Sequence, residues 1–162
     1  MDRRKLKVLL RHRGAMAGLA LVVFFALAAA LIGLLSPHDP VTWRSGDQYR
    51  DSSWAHWLGT DNSGRDILTR LFFGARISLL IGVACVAFSA VLGLPLGALA
   101  GYFGGAVDAT ISRFLDILLS FPGMLLAIAI AAPMGAGLWT VILSVGVVGI
   151  PQFARQVRAS VL

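Results

Sequence analysis

Twenty-three consecutive residues, from Gly14 to Ser36, carry no charged side chain. A helix of that length is about 35 Å long, which is enough to cross the hydrocarbon core of a bilayer with some tilt. A cleaved signal peptide is the alternative, because Ala28 to Ala30 resemble a cleavage site. The apolar part of such peptides is, however, usually about 7 to 15 residues long. The run therefore favours a retained first transmembrane helix.

The composition also indicates a membrane protein. The 162 residues are 57% hydrophobic and 14% charged, whereas soluble domains carry nearer a quarter charged residues. The net charge of +6 would suit a nucleic-acid partner, but six of the fourteen Lys and Arg lie in the first thirteen residues. Positive residues flanking an apolar segment are typical of membrane proteins, so we expect lipid and no nucleic acid as a partner.

Three further apolar segments predict transmembrane helices at about 77–100, 107–132 and 138–154. In the middle one, the uncharged part from Ile117 to Ala132 is too short to span comfortably, so the helix must begin near residue 107. Pro122 should kink it, because proline removes one helical hydrogen bond.

This middle helix must then carry Arg113 and Asp116 in its first turns. A lone charge at the bilayer centre costs roughly 2.5 to 3.5 kcal/mol. Spaced i,i+3, the two side chains can partly neutralise each other. The pair either anchors the helix at the membrane surface or couples it to another helix.

The second segment carries a ribbon of small side chains, four residues apart on one helical face. Such a ribbon lets another helix approach closely, which matters in lipid because no hydrophobic effect drives helices together. We interpret it as a packing face, and we expect Pro95 to bend the helix. The ribbon consists of Cys85, Ser89, Gly93, Gly97 and Gly101.

A polar loop of about forty residues follows the first span, with three tryptophans that are typical of the membrane–water boundary. Substrate contact by these rings is the alternative. His38 and His56 look isolated, with no second ligand at metal spacing, so no metal site is predicted. No catalytic constellation or cofactor-binding motif is present in the sequence, so we expect no enzyme activity and no cofactor.

The loop ends in the stretch HWLGTDNSGRDILTRLFFGARIS, from His56 to Ser78. Its turn and cap residues predict a bend. The apolar positions that follow recur at helical spacing, which predicts an interfacial amphipathic helix over residues 61–76. An ordinary loop followed by a soluble helix is the alternative.

The block LGTDNSGRDILTRLFFGARISL closely resembles one in inner-membrane permease subunits of bacterial ABC importers for peptides and nickel, of the C type. The resemblance continues through LGLPLGALAGYFGGAVDATISRFLDILLSFPGMLLAIAIA to IPQFARQVRASVL, and stops at Leu162, where such permeases normally continue. It therefore suggests a C-terminally truncated chain or a fragment. The family-motif residues are Gly59, Thr60, Asp61, Gly64, Arg65 and Asp66.

The resemblance implies an all-α integral membrane protein, the N-terminal part of a six-helix type I importer permease. Residues 1–60 would hold the basic tail, the first span and the start of the loop. Residues 61–76 would form the interfacial helix, and 77–162 a partial permease domain with three of the four spans. A small membrane scaffold that binds a partner through the glycine ribbon is the alternative function. A membrane-embedded enzyme is a further alternative, which the sparse polar residues within the spans disfavour.

The resemblance also implies partners: a homologous permease subunit, two cytoplasmic ATPases and a periplasmic substrate-binding protein. The cargo would be peptides, nickel or a related small solute. The ATPase-coupling segment of the family normally follows the helix that ends near Arg158, so the chain as it stands is expected to lack it. The dense positive charge of residues 1–13 predicts a cytoplasmic N-terminus and a periplasmic loop in the bacterial inner membrane.

Overall fold

The computed structural model describes residues 13–35 and 38–161, and most of them are helical. The only β-type pairing among these residues is an isolated bridge between Thr60 and Asp66. The predicted basic tail, and Ser36 and Pro37 at the predicted end of the first span, lie outside the described residues. The helices are α1 (Arg13–Leu35), α2 (Ile67–Phe103), α3 (Gly105–Ser120), α4 (Gly123–Ala131) and α5 (Leu138–Val161), with a 3₁₀ turn at Ala132–Met134.

The chain forms two compact units, Met1–Leu79 and Leu80–Leu162, and α2 contributes to both. Among the described residues, α2 and α5 are each long and apolar enough to cross a membrane. The bent pair Gly105–Ser120 and Gly123–Met134 adds a third crossing if it is one span. The 23-residue α1 occupies the first predicted span. The all-helical membrane architecture is confirmed.

Helix α2 corrects the prediction of a separate interfacial helix over 61–76. Residues 61–66 are turn and bridge, and a single 37-residue helix then runs from Ile67 through Pro95 to Phe103. The amphipathic pattern in the sequence belongs to its first turns. Such a helix is about 55 Å long, well beyond the roughly 30 Å hydrocarbon core, so part of it must extend outside the membrane.

The predicted helix over 107–132 is two helices. Phe121 is extended, with φ −89° and ψ 138°, because the residue before a proline avoids the helical region. Pro122 then caps the start of α4, and the axes of the two pieces differ by 89°. What the sequence suggested as a kink at Pro122 is therefore a break.

The buried core lies in the second unit, where α3 and α5 pack with the second half of α2. Its centre is formed by Leu115 of α3 with Ile150 and Ala154 of α5. Helix α5 ends seven residues beyond the predicted boundary at 154 and keeps Pro151 within its length. Most large apolar side chains of α1 and α2 are exposed, as expected of surfaces that meet lipid or another subunit.

Candidate functional site

The motif loop, Gly59–Asp66, closes as a small hairpin before α2. Thr60 and Asp66 form its antiparallel bridge. Inside the bridge, the backbone N–H of Asp61 donates to the carbonyl oxygen of Arg65 at 3.0 Å. The six motif residues recognised in the sequence therefore belong to one compact turn.

Any other residue at either motif glycine would be strained. Gly59 has φ +73° and Gly64 has φ +71°, a region that favours glycine. A Cβ atom at Gly59 would overlap the carbonyl oxygen of Arg50, and one at Gly64 would overlap that of Arg44. The preceding segment thus lies directly against the turn. Thr60 fastens it further, because its hydroxyl accepts the backbone N–H of Arg50 at 2.8 Å.

Asp61 is the electrostatic centre of the motif loop. Its carboxylate accepts the backbone N–H groups of Ser63 at 2.8 Å and Arg65 at 3.0 Å. It also pairs with the Arg65 Nε at 3.0 Å and with the guanidinium of Arg70. Burial raises the pKa of Asp61, but the two backbone hydrogen bonds and the Arg65 side chain outweigh it and lower the pKa to about 2.

Asp66 starts helix α2. Its Oδ2 accepts the Thr69 backbone N–H at 2.8 Å and the Thr69 hydroxyl at 2.7 Å, which is the geometry of a helix N-cap. Its Oδ1 lies 3.1 Å from Nδ1 of His56, and both side chains are buried. Burial raises the pKa of Asp66, but the hydrogen bonds from Thr69 and His56 bring it below its usual value.

The prediction that His38 and His56 are isolated is wrong. Their rings stack with centroids 4.7 Å apart and planes 30° from parallel. His38 Nε2 also lies 3.0 Å from the carbonyl oxygen of Ala55. One potential ligand atom each from His38, His56 and Asp66 lies within 4.8 Å of the others. Sequence spacing gave no sign of this, since folding of the loop joins positions 18 and 10 residues apart.

The small-residue ribbon faces α5 of the same chain. A Cβ at Gly93 would stand 2.8 Å from the carbonyl oxygen of Ile150, and one at Gly97 would overlap that of Ala154. At Gly101 it would meet the Val161 side chain. Only glycine allows the two backbones to come this close.

The polar members of the ribbon bind the α5 backbone. The Ser89 hydroxyl lies 2.7 Å from the Gly146 carbonyl oxygen and 2.8 Å from that of Cys85 in its own helix. The Cys85 thiol contacts the Ile142 carbonyl oxygen at 3.9 Å, a weak interaction. Helix α5 supplies small residues in return, because a Cβ at Gly149 would overlap the Ser89 hydroxyl. Both helices therefore contribute small side chains to the contact.

The two acids of α3, Asp108 and Asp116, pair with arginines of α5. Asp116 accepts from Arg155 Nη2 at 2.7 Å, so the predicted Arg113–Asp116 pair is corrected. One turn into α3, Asp108 accepts two hydrogen bonds from Arg158, at 2.5 and 2.6 Å. Both arginines lie in the last turns of α5, so the two ion pairs join that end of α5 to α3.

Comparisons with known proteins agree with this architecture. Residues 3–53 match the N-terminal TM domain of oligopeptide transport permease C, and residues 93–162 match the binding-protein-dependent transport system inner membrane component. The chain belongs to the binding-protein-dependent transport permeases. It is thus a multi-pass protein of the inner membrane, in a family of transport components.

Curated relatives of this permease family align along nearly the whole chain. A dipeptide transport system permease of Alkalihalophilus pseudofirmus is 39% identical over 160 residues, 99% of this chain and 53% of the relative. A glutathione transport system permease of Pectobacterium atrosepticum is 41% identical over 157 residues, 96% and 52% respectively. A dipeptide transport system permease of Bacillus subtilis is 39% identical over 159 residues, 98% and 49%. The chain spans about half the length of the curated relatives it matches.

Two groups of residues in this chain were not predicted from the sequence. The histidine cluster carries no local signal. The partners of Asp108 and Asp116 do carry one, since two acids on α3 and two arginines on α5 are unusual in membrane segments. That imbalance would have suggested pairing between helices.

Proposed function

We propose that this chain is part of a permease subunit that lines the path of short peptides through an ABC importer. The observation that carries the proposal is the alignment of 93–99% of the chain with permeases named for dipeptide, di/tripeptide and glutathione transport. Such a subunit is a transport component and no catalyst, so its energy would come from ATP hydrolysis by partners.

In this proposal the chain pairs with a homologous permease subunit, receives peptide from a periplasmic binding protein and is driven by two cytoplasmic ATPases. Alternating access needs rigid elements that move as bodies between two arrangements. The close contact of α2 with α5, and the two ion pairs that join α3 to α5, supply such an element. Peptide passage would then depend on movement of this three-helix body against the partner subunit.

We further propose four crossings: α1, α2, the bent pair of α3 and α4, and α5. A cytoplasmic N-terminus follows from the six positive residues before the first span. The motif loop is then periplasmic, and Arg155 and Arg158 at the end of α5 are cytoplasmic. The six positive residues before α1 are the main support for this orientation, and Arg155 and Arg158 at the end of α5 agree with it.

The scaffold alternative loses its main argument. It required the glycine ribbon to bind another protein, and α5 of the same chain already covers Gly93, Gly97 and Gly101. A ribbon that is filled within the chain supports a folded permease body.

Uptake of a labelled dipeptide tests the transport proposal. Deletion of the intact permease gene should abolish uptake, and restoring the gene should recover it. The volume-preserving variant Leu92→Ile serves as a control, and it should transport like the wild type. Unchanged uptake of dipeptides, tripeptides and glutathione after deletion would contradict the proposal.

Reporter fusions test the topology. Fusions after Ser45 and Ala136 should report the periplasm, and a fusion after Gly105 should report the cytoplasm. Ser45 lies in the loop, whereas the other two positions flank the bent pair. If Gly105 and Ala136 report the same side, α3 and α4 form a re-entrant segment and the count of four is wrong.

A further inference from the structure

We propose that His38, His56 and Asp66 form a binding site for a divalent transition metal ion of the zinc type, beside the start of α2. The three residues each offer one ligand atom, and these atoms lie within 4.8 Å of one another. His56 and Asp66 are buried, while His38 is half-buried. This proposal concerns the loop alone and is independent of the transported solute.

The donor set selects the metal. Two imidazole nitrogens and one carboxylate oxygen suit Zn²⁺, Co²⁺ and Ni²⁺, whereas Mg²⁺ and Ca²⁺ prefer oxygen ligands throughout. Three protein ligands leave one position of a tetrahedral Zn²⁺ open for water.

The spacing of the two buried ligands fits a shared ion. His56 Nδ1 and Asp66 Oδ1 are 3.1 Å apart. In a tetrahedral site with bonds of about 2.0 Å, neighbouring ligand atoms lie roughly 3.3 Å apart. A metal ion can therefore replace the proton that His56 and Asp66 share, with only a small movement of either side chain. One ring nitrogen of His38, whose ring stacks on His56, would complete the set after a modest rotation.

Hydrogen bonds to neighbouring groups orient the proposed ligands, as is general for metal ligands in proteins. The other oxygen of Asp66 accepts two hydrogen bonds from Thr69, which fixes the carboxylate against α2. The carbonyl oxygen of Ala55 lies 3.0 Å from His38 Nε2 and orients that ring. A bound ion would tie the start of the loop, its end and the first turn of α2 together.

Zinc binding by the intact permease, in nanodiscs and without a polyhistidine tag, tests the site. Chelator-washed protein titrated against a competing zinc dye should take up one Zn²⁺ per chain, and neither Mg²⁺ nor Ca²⁺ should displace it. His38→Ala and His56→Ala should each weaken binding at least about tenfold. His12→Ala, which removes the third histidine of the chain, should leave it unchanged.

His38→Ala is the decisive variant, because it leaves the His56–Asp66 hydrogen bond and the helix cap in place. Zn²⁺ should slow hydrogen exchange at the motif-loop amides of the wild type and not of this variant. The wild type loaded with Co²⁺ should show a ligand-field spectrum of a nitrogen and oxygen site. Zinc uptake that His38→Ala and His56→Ala leave undiminished would overturn the site, and so would a wild type that binds no zinc.

Discussion

The motif loop and the contact between α2 and α5 are stable for opposite reasons. The loop is held by directional bonds: side chains of Thr60, Asp61 and Asp66 satisfy backbone groups that would otherwise lack partners. The contact between α2 and α5 depends on close packing. Gly93 and Gly97 have no side chains, so the two helix backbones can approach each other closely. Hydrogen bonds and charge therefore determine the stability of the motif loop, whereas side-chain volume determines the stability of the helix contact.

This difference implies different sensitivities. A change of charge should disturb the loop, and a change of size should disturb the helix contact. Water can replace a lost polar group only where the motif loop is open to solvent, as at Asn62. Nothing in a close-packed helix pair can make room for a large side chain without moving a backbone.

The largest effect is expected for Gly97→Leu. The new side chain would meet the Ala154 carbonyl, so α2 and α5 must separate, at a cost of about 3 kcal/mol. Gly82→Leu adds the same atoms on the same helix, where no heavy atom lies within 4 Å of the added Cβ. The thermal midpoint of the purified intact permease should fall for Gly97→Leu and stay close to wild type for Gly82→Leu. Equal thermal midpoints for the two variants would show that side-chain volume at Gly97 does not determine the stability of the helix contact.

A smaller effect is expected for Gly64→Ala, which tests whether added side-chain volume also disturbs the motif loop. The left-handed backbone alone costs an alanine about 1 to 2 kcal/mol. Gly46 also has a positive φ, but an added Cβ there meets nothing within 4 Å. Gly64→Ala should therefore raise hydrogen exchange at the motif-loop amides more than Gly46→Ala. Equal rates would mean that backbone strain, and not contact with Arg44, governs the loop.

The next largest effect is expected when the charges of the Asp108–Arg158 pair, which joins α3 to α5, are changed. Asp108→Arg alone places two cations together and should lower the thermal midpoint. Adding Arg158→Asp restores a pair of opposite charges and should recover part of the loss. Recovery should be incomplete, because an acid in the first turn of α3 and a base in the last turn of α5 also favour the helix dipoles. No recovery at all would show that the bidentate geometry, rather than charge, is required.

The smallest effect is expected for acid titration of Asp61. Its pKa is about 2 in the folded loop, below the usual value of about 3.9. Its stabilising contribution is thus fully present above about pH 4 and is lost as the pH falls through 2. Protection of the motif-loop amides should decline over this range in the wild type. Asp61→Asn should be less protected at pH 7 and should show a smaller decline, because Asp66, whose pKa is also below its usual value, still titrates in the loop. An identical pH profile would exclude Asp61 as a titrating group.

Much of the helical architecture was predictable from the sequence, because apolar length and periodicity are local properties. The spans, the turn before α2 and the residues of the ribbon all follow from spacing along one segment. The histidine cluster and the Asp116–Arg155 pair do not, since they join positions that only tertiary folding brings together. The continuity of α2 was missed because its amphipathic first turns and its apolar remainder differ in composition but share one helix.

The break at Phe121 and Pro122 places exposed peptide groups in an otherwise helical segment. Because helix α3 ends at Ser120, its last carbonyl groups have no backbone N–H of a following helical turn to accept. The Ser120 hydroxyl donates to one of them, the carbonyl oxygen of Ile117. Acyl chains offer no hydrogen bonds, and each unmet group in hydrocarbon costs several kcal/mol. The side chain of Phe121 is itself exposed. If the bent pair of α3 and α4 crosses the membrane, as proposed above, the neighbour of this break must be a hydrated passage or another protein segment, and not a lipid tail.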